Sequence, residues 1–279
     1  MLDLSVVVPA RNAEALIDDC LRSIVRSEPR EIIVVDGESS DRTVEIARRY
    51  GATVLRDGGQ GLPAARLMGA RAARAPWVAL IDADVVLGEG DLARLLDEVR
   101  RNRYTALQAG LRSVSRDGYW GRALVAHHRT GRSKDWFGVV ATIFDREALL
   151  QHGFDARFLS GEDIDLRWRL RKAGAKIGVS QSTVVEHRFD DTWEFAKGQW
   201  LADGHGFGRM VGAHGMRAKL LLAMPLAAGV RGVVLSLLRG QPRWLPYYAC
   251  FVVFNYIGLV REVARPGRPV RTQATGETA

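Results

Sequence analysis

Short runs of branched apolar residues alternate along this chain with longer stretches in which apolar positions recur at helical spacing. Residues 4–8, 31–35, 52–55 and 77–81 read as strands, and residues 13–27, 43–50 and 63–74 read as helices. Strands that alternate with helices predict βαβ units and a mainly parallel sheet. The first, second and fourth strands each run into a polar cluster. These are Pro9-Ala10-Arg11-Asn12, Asp36-Gly37-Glu38-Ser39-Ser40-Asp41 and Asp82-Ala83-Asp84. Ligands of such sheets bind beyond the carboxyl ends of the strands, where all three clusters fall. Further on, Trp136 to Phe144 reads as a buried strand and Arg146 to Leu150 as a short helix. A polar stretch, His152 to Asp163, then opens a helix over 164–173, and a strand-like run over 183–186 ends at His187.

The pair Asp82 and Asp84 brings in the first chemistry. Side chains alternate along extended backbone, so residues two apart point the same way. Two carboxylates aimed at one spot repel unless a cation lies between them. Hard divalent ions take oxygen ligands, often one or two carboxylates together with substrate phosphates. The pair therefore reads as a bridge between a metal and a diphosphate, although Asp-X-Asp alone is common in loops.

The pieces Val8-Pro9-Ala10-Arg11-Asn12, Val35-Asp36-Gly37-Glu38-Ser39-Ser40-Asp41, Ala64-Ala65-Arg66, Asp82-Ala83-Asp84 and Gly161-Glu162-Asp163-Ile164-Asp165-Leu166 occur in one order. In that order the chain resembles the family 2 glycosyltransferases over roughly residues 4 to 190. The resemblance implies a GT-A α/β fold, a nucleotide-sugar donor and a Mn²⁺ or Mg²⁺ cofactor. It implies that Asp84 binds the metal and that Asp82 lies near the ribose or the metal. Asp36 would accept a hydrogen bond from a pyrimidine ring N–H, which favours a UDP-sugar. Pro9, Ala10, Arg11, Asn12, Gly37 and Ala83 would line the nucleotide pocket, and Arg66 would contact the base or diphosphate. Asp163 would be the general base that deprotonates an acceptor hydroxyl, with Glu162 orienting it or touching the acceptor. With one base and no carboxylate placed as nucleophile, the implied reaction is a single inverting displacement. His187 is a second metal candidate, since a neutral imidazole can ligate. Trp136, Phe137 and Arg167 are the acceptor candidates. The segment 127–136 joins them, with a cationic and aromatic character that suits a lipid-linked, glycan or small-molecule hydroxyl acceptor. No clear Gln-X-X-Arg-Trp motif of processive synthases follows the base.

Each residue also has a plainer reading. Pro9 can end a strand, Asp36-Gly37 is a turn signal, and Ser39, Ser40 and Asp41 are good helix caps. Arg66, Arg167 and Arg169 can be solvated helix residues. Ser160, Glu162 and Asp163 can cap the following helix, where negative charge is favoured. The ordered set carries the functional reading. A second class is an NAD(P)-binding oxidoreductase, because Gly59-Gln60-Gly61-Leu62-Pro63-Ala64 fits a G-x-G-x-x-A loop with Asp82 about twenty residues later. Against it, that loop follows the third strand rather than the first. A third is an inactive nucleotide-binding scaffold, against which the intact acidic motifs argue.

Composition adds the rest. The chain has 279 residues, 47% of them hydrophobic, which allows one catalytic domain and an appendage. The expected division is a catalytic domain over 1–190, with a nucleotide half to about 100 and an acceptor half beyond it. A helical region over 191–263 and a disordered basic tail over 264–279 follow. Cys20 and Cys250 suggest a reducing compartment without a disulfide framework. The first strand begins too early to leave room for a signal peptide, and the expected location is the cytoplasmic face of a membrane. Two apolar runs, 220–238 and 244–260, reach membrane-span length only marginally, and Pro225 and Arg231 interrupt the first. They point to membrane association or to an oligomer interface. The net charge of +8 fits anionic donors and lipids. The arginines are spread along the chain without a nucleic-acid module, which argues against nucleic acid as a partner.

Overall fold

A computed structural model describes residues 1–130, 136–155, 157–158 and 160–264, with Thr130 described in its backbone alone. Residues 131–135 of the expected acceptor segment, Ala156 and Leu159 before the expected base, and the tail beyond Ala264 lie outside the described residues. The chain forms two compact units. The first comprises Met1–Ser113, Lys134–Ala156 and Asp163–Arg188, and the second Val114–Ser133, Arg157–Glu162 and Phe189–Ala279.

In the first unit the alternating pattern is realised as β1 (Leu2–Ala10), α1 (Ile17–Val25), β2 (Pro29–Asp36), α2 (Thr43–Arg49), β3 (Thr53–Arg56), α3 (Leu62–Ala72) and β4 (Trp77–Ile81). There follow β5 (Val85–Val86), α4 (Asp91–Asn102) and β6 (Ala106–Ser115). Beyond α5 (Tyr119–Thr130), a helix of the second unit, come β7 (Ala141–Asp145), α6 (Arg146–His152), α7 (Glu162–Lys172) and β8 (Ile177–Phe189). Among the described residues the strands build one eight-stranded sheet, ordered β3-β2-β1-β4-β7-β6-β8-β5. Strands β3, β2, β1 and β4 pair in parallel, whereas β7 joins β4 and β6, and β5 joins β8, antiparallel. The fold is thus a mixed α/β sheet flanked by helices, whose parallel half carries the three polar clusters at its carboxyl edge.

The buried run Leu4 to Ala10 is what a central parallel strand requires, since helices cover both faces. Helix α1 buries Ile17, Cys20, Leu21 and Ile24, the i, i+3, i+4, i+7 stripe of an amphipathic helix. Helix α3 comes close to the sheet at Gly69, where an added Cβ would lie 2.2 Å from Val7 Cγ1.

One expected strand is shortened. The run 136–144 becomes β7 only from Ala141. Val139 has φ +64°, a left-handed conformation that a β-branched residue rarely adopts and that cannot continue an extended strand. Upstream, the Gln108 side chain donates to the carbonyl of Trp136 at 2.9 Å and accepts from the Gly138 N–H at 2.7 Å, using backbone groups that a strand ladder would need.

The second unit contains α5, α8 (Trp193–His214), a 3-10 helix (Gly215–Ala223), α9 (Met224–Leu238), a short 3-10 turn (Pro242–Trp244) and α10 (Leu245–Ala264). The first apolar run therefore starts as a 3-10 helix and turns α-helical where Pro225 can sit at the helix start. Helices α8 and α10 touch through glycines. An added Cβ would lie 1.9 Å from the Asn255 carbonyl at Gly204 and 2.2 Å from the Leu201 carbonyl at Gly258. Trp120, Trp193, Trp200, Trp244, Tyr247 and Tyr248 pack into one aromatic core. Arg209 spans both Glu262 oxygens at 2.9 and 3.0 Å.

Candidate active site

The loops after β1 and β2 are tied together by their own polar residues. The Asn12 N–H donates to Ser39 Oγ at 2.9 Å, and the Asn12 carboxamide oxygen accepts from the Ser40 N–H at 2.9 Å. The Ala13 N–H reaches Thr43 Oγ1 at 2.8 Å, and the Glu14 N–H reaches Asp41 Oδ2 at 3.0 Å. Asn12, with φ +48°, thus holds the loop shape with its side-chain oxygen. Asp36 is buried at the end of β2, where one of its oxygens accepts from the Ser39 N–H at 3.1 Å. Ala10 holds Gly37 through its carbonyl, at 2.8 Å. An added Cβ at Gly37 would press on Arg11 Cβ at 3.2 Å. Pro9 is buried within β1, while Arg11 is exposed beyond its end.

At the end of β4 the two aspartates take different partners. Arg66 from α3, 2% exposed, reaches both Asp82 oxygens at 2.8 and 3.0 Å. Burial pushes the Asp82 pKa upward, Arg66 pulls it down, and the Asp84 carboxylate adds to the upward push. Asp84 Oδ2 lies 3.2 Å from His187 Nε2, and the pairing of Val85 in β5 with His187 in β8 sets that contact. Burial alone would lower the His187 pKa, but the Asp84 and Asp82 carboxylates outweigh it and raise it. Asp84 Oδ1 is buried and has no hydrogen-bond partner among the described residues. An orphaned carboxylate oxygen is costly unless a cation or donor reaches it. Asp84 and His187 therefore fit a divalent ion. Among the described residues no third His, Cys, Asp or Glu joins them. Two protein ligands suit an ion that keeps waters and substrate phosphates in its shell. Ala83 packs against the core between the two aspartates.

Asp163 sits in the first turn of α7. Its Oδ2 accepts from the Trp136 indole N–H at 3.2 Å. Burial raises its pKa above the ordinary carboxylate range, while the Trp136 bond, the Ile164 N–H, Arg167 and Arg66 pull the other way. Arg167, one turn along α7, stacks over the Trp136 ring with its guanidinium carbon 3.9 Å from the centroid. The segment that carries Trp136 also carries Val140, whose carbonyl accepts from the Asp82 N–H at 2.9 Å. One irregular segment thus ties the Asp163 region to the Asp82 strand end. Arg169 has a structural task instead. It bonds Asp165 at 2.7 Å and the carbonyls of His152 and Gly153 at 2.5 and 2.9 Å.

The remaining expected residues are placed as follows. Phe137, an expected acceptor residue, is 2% exposed and edge-on to Phe144 within the core. In the second unit Glu162 is buried, and His127 is enclosed by Tyr247, Tyr248 and Phe251. Burial pushes the His127 pKa down to about 4. Ser160 donates to the Ala202 carbonyl at 2.7 Å. The glycine loop does not fit a dinucleotide. It follows the edge strand β3, and Asp57 accepts from the Gly59 and Gly61 N–H groups at 2.8 and 3.2 Å. An anion of the chain thus holds amides that would otherwise face a pyrophosphate. Cys20 and Cys250 are both free thiols. Gln108 is the residue that sequence reasoning missed, and its signal was a lone polar side chain inside the apolar run of β6.

The family described as Glycosyl transferase family 2 matches residues 5–153, more than half of the chain. An uncharacterized glycosyltransferase, EpsJ of Bacillus subtilis, is 31% identical over 121 residues, which are 41% of this chain and 35% of that protein. The 4,4'-diaponeurosporenoate glycosyltransferase of Staphylococcus aureus is 36% identical over 100 residues, 33% of this chain and 27% of that protein. This chain thus matches about a third of the length of these curated relatives. Among solved structures, the mannosyltransferase PcManGT from Pyrobaculum calidifontis, in complex with GDP-Man and Mn²⁺, aligns with a TM-score of 0.67 at 18% identity. It covers 92% of this chain and 87% of its own. Residues 1–349 of S. aureus TarS in complex with UDP align with a TM-score of 0.54 at 16% identity, covering 97% and 93%. These likenesses agree with the GT-A architecture expected from the sequence. The chain belongs to glycosyl transferase family 2.

Proposed function

We propose that this chain transfers a sugar from a nucleoside diphosphate, uridine diphosphate above all, to a hydroxyl acceptor with inversion at the anomeric carbon. The observation that carries this reading is the orphaned, buried Asp84 Oδ1 beside His187, next to the Arg66–Asp82 pair. Arg66 also acts electrostatically on Asp163, which links the donor edge to the proposed base. The family membership and the nucleotide complexes of structurally similar proteins agree with it.

The chain's own groups would act as follows. Asp36, an acceptor-only carboxylate at the end of β2, takes the ring N–H of uracil. Asp163 removes the proton of the acceptor hydroxyl, whose oxygen bonds to the anomeric carbon as the bond from that carbon to the diphosphate breaks. The proton rests on Asp163 and the nucleoside diphosphate leaves. The burial that raises the Asp163 pKa makes it a better proton acceptor than an exposed aspartate. Arg167, held flat on Trp136, places a cation beside the base for the acceptor. A divalent ion held by Asp84 and His187 would supply Lewis-acid stabilisation of the departing diphosphate.

Calorimetric titration of UDP with and without Mn²⁺, on the wild type and on Asp84→Ala, tests the donor site. Tight binding that needs both the ion and Asp84 supports it. Binding of GDP in place of UDP moves the proposal to a guanosine donor. Failure of both nucleotides overturns it.

A further inference from the structure

Helix α9 is packed inside out. Its buried positions are Pro225, Gly229, Gly232 and Ser236, all small, at helical spacing. They let α10 come close, since an added Cβ at Gly229 would lie 2.2 Å from Val252 and one at Gly232 2.0 Å from Tyr248. Most of its large apolar side chains point the other way, with Val233 packed on the aromatic core. Leu226, Val230, Val234, Leu237 and Leu238 are each at least 47% exposed. The first four recur at i, i+4, i+8 and i+11, so they form one stripe along the helix. Leu220 of the preceding 3-10 helix and Val253 and Val260 of α10 are also more than half exposed. A helix that faces water places its residues the other way round. An apolar stripe of this kind along an exposed helix marks a contact surface.

Charge decides between candidate partners. From Gly204 to Arg261 the chain holds seven arginines and lysines and no aspartate or glutamate. Arg217, Lys219, Arg239 and Arg243 flank the apolar stripe at both ends of α9. A second copy meeting this face across a two-fold axis would bring the same cations against it. An anionic lipid surface would instead complement them. We propose that the outward face of α9, with its neighbours on the 3-10 helix and α10, docks on an anionic bilayer, lying in the interface rather than crossing it. The span-length stretch Trp193–Leu238 holds a window of mean hydropathy 1.9, with 28% of that window buried. Within it α9 has 15 residues, fewer than the roughly 20 that a hydrocarbon core requires. Arg231, exposed at mid-helix, would have to cross hydrocarbon in a spanning helix. Leucine and valine on one side with arginine and lysine at the margins suit an interfacial helix. The inference stands independently of the glycosyl-transfer reading.

Co-sedimentation of the full chain with vesicles tests it. One set contains equal phosphatidylglycerol and phosphatidylcholine, and the other phosphatidylcholine alone. The expected result is binding to the anionic vesicles at least about tenfold tighter than to the neutral ones, a difference of one logarithmic unit in the partition constant. Val230→Ser with Val234→Ser should weaken it by a similar factor, and so should Arg217→Glu with Lys219→Glu. All four positions are outside the donor and acceptor machinery, so an unchanged melting temperature and near-ultraviolet circular dichroism would show that the variants fold. The proposal is overturned by protein that stays in solution beside anionic vesicles, or by binding indifferent to the valine substitutions. It is equally overturned by a lipid-free dimer that those substitutions dissociate, since the face would then belong to a second copy.

Discussion

Asp163 shows how one side chain is tuned by its surroundings. Replacing it with asparagine removes the proton acceptor and keeps the shape, so Asp163→Asn should lower kcat by about 10²–10⁴-fold or more with donor affinity unchanged. Retained turnover would remove Asp163 from the role. The pH dependence has a definite sign. The base works as a carboxylate, so kcat/KM falls as pH drops through its pKa, which burial has raised. The indole N–H of Trp136 favours the charged form, so Trp136→Phe should move the acid limb of the kcat/KM profile to higher pH. An unmoved limb would mean that another group sets it. Arg66 poses a different question, because it is buried while Asp82 keeps a fifth of its surface exposed. Arg66→Ala would leave Asp82 uncompensated beside Asp84, a loss of about 3 kcal/mol by analogy with buried pairs stripped of one partner. Urea denaturation of the two proteins measures it.

At the scale of elements, the helical contacts of the second unit rest on the absence of side chains. Gly258 meets the Leu201 carbonyl so closely that an alanine methyl has no room. Backbone cannot rotate aside as a side chain does, so Gly258→Ala should cost about 3 kcal/mol, the upper part of the usual overpacking range. Thermal unfolding with a Gly212→Ala control, a helical glycine in α8, separates this steric effect from a general glycine effect. Gly212 has open space around its Cβ position and no positive φ, so an alanine there should cost nothing or stabilise the helix slightly. The segment before β7 makes the complementary point. Gln108 holds Trp136 and Gly138, on either side of Phe137, just before the left-handed Val139, and the held Trp136 donates its indole N–H to Asp163.

For the whole molecule, ligand linkage gives a global readout of a local site. A ligand at about one hundred times its Kd stabilises the folded state by about 2.7 kcal/mol. UDP with Mn²⁺ should therefore raise the melting temperature of the wild type. Asp84→Ala should lose that increment without a matching loss of basal stability, because the substitution also removes a carboxylate that repels Asp82. A full ligand-induced shift in Asp84→Ala would place the ion elsewhere.

The sequence by itself determined the parallel half of the sheet, since continuous apolar runs such as Leu4 to Val8 can be satisfied only by burial on both faces. It also determined that Asp36, Asp82, Asp84 and Asp163 would stand at strand and helix ends, because motif order and period-two alternation are properties of the chain. It did not reveal which carboxylate pairs with which cation. Arg66 goes to Asp82 and His187 to Asp84 through contacts spanning 16 and 103 residues, and no local spacing encodes them. The break at Val139 was equally hidden, because the run 136–144 is rich in aromatic and β-branched residues, with Gly138 as its local sign of a break, and the glutamine that holds the segment is distant in sequence. The apolar C-terminal runs were visible as composition. Only tertiary packing decided that Gly229, Gly232 and Gly258 turn inward while Leu226, Val230, Val234, Leu237 and Leu238 turn outward, because burial belongs to the partner helix and not to the residue.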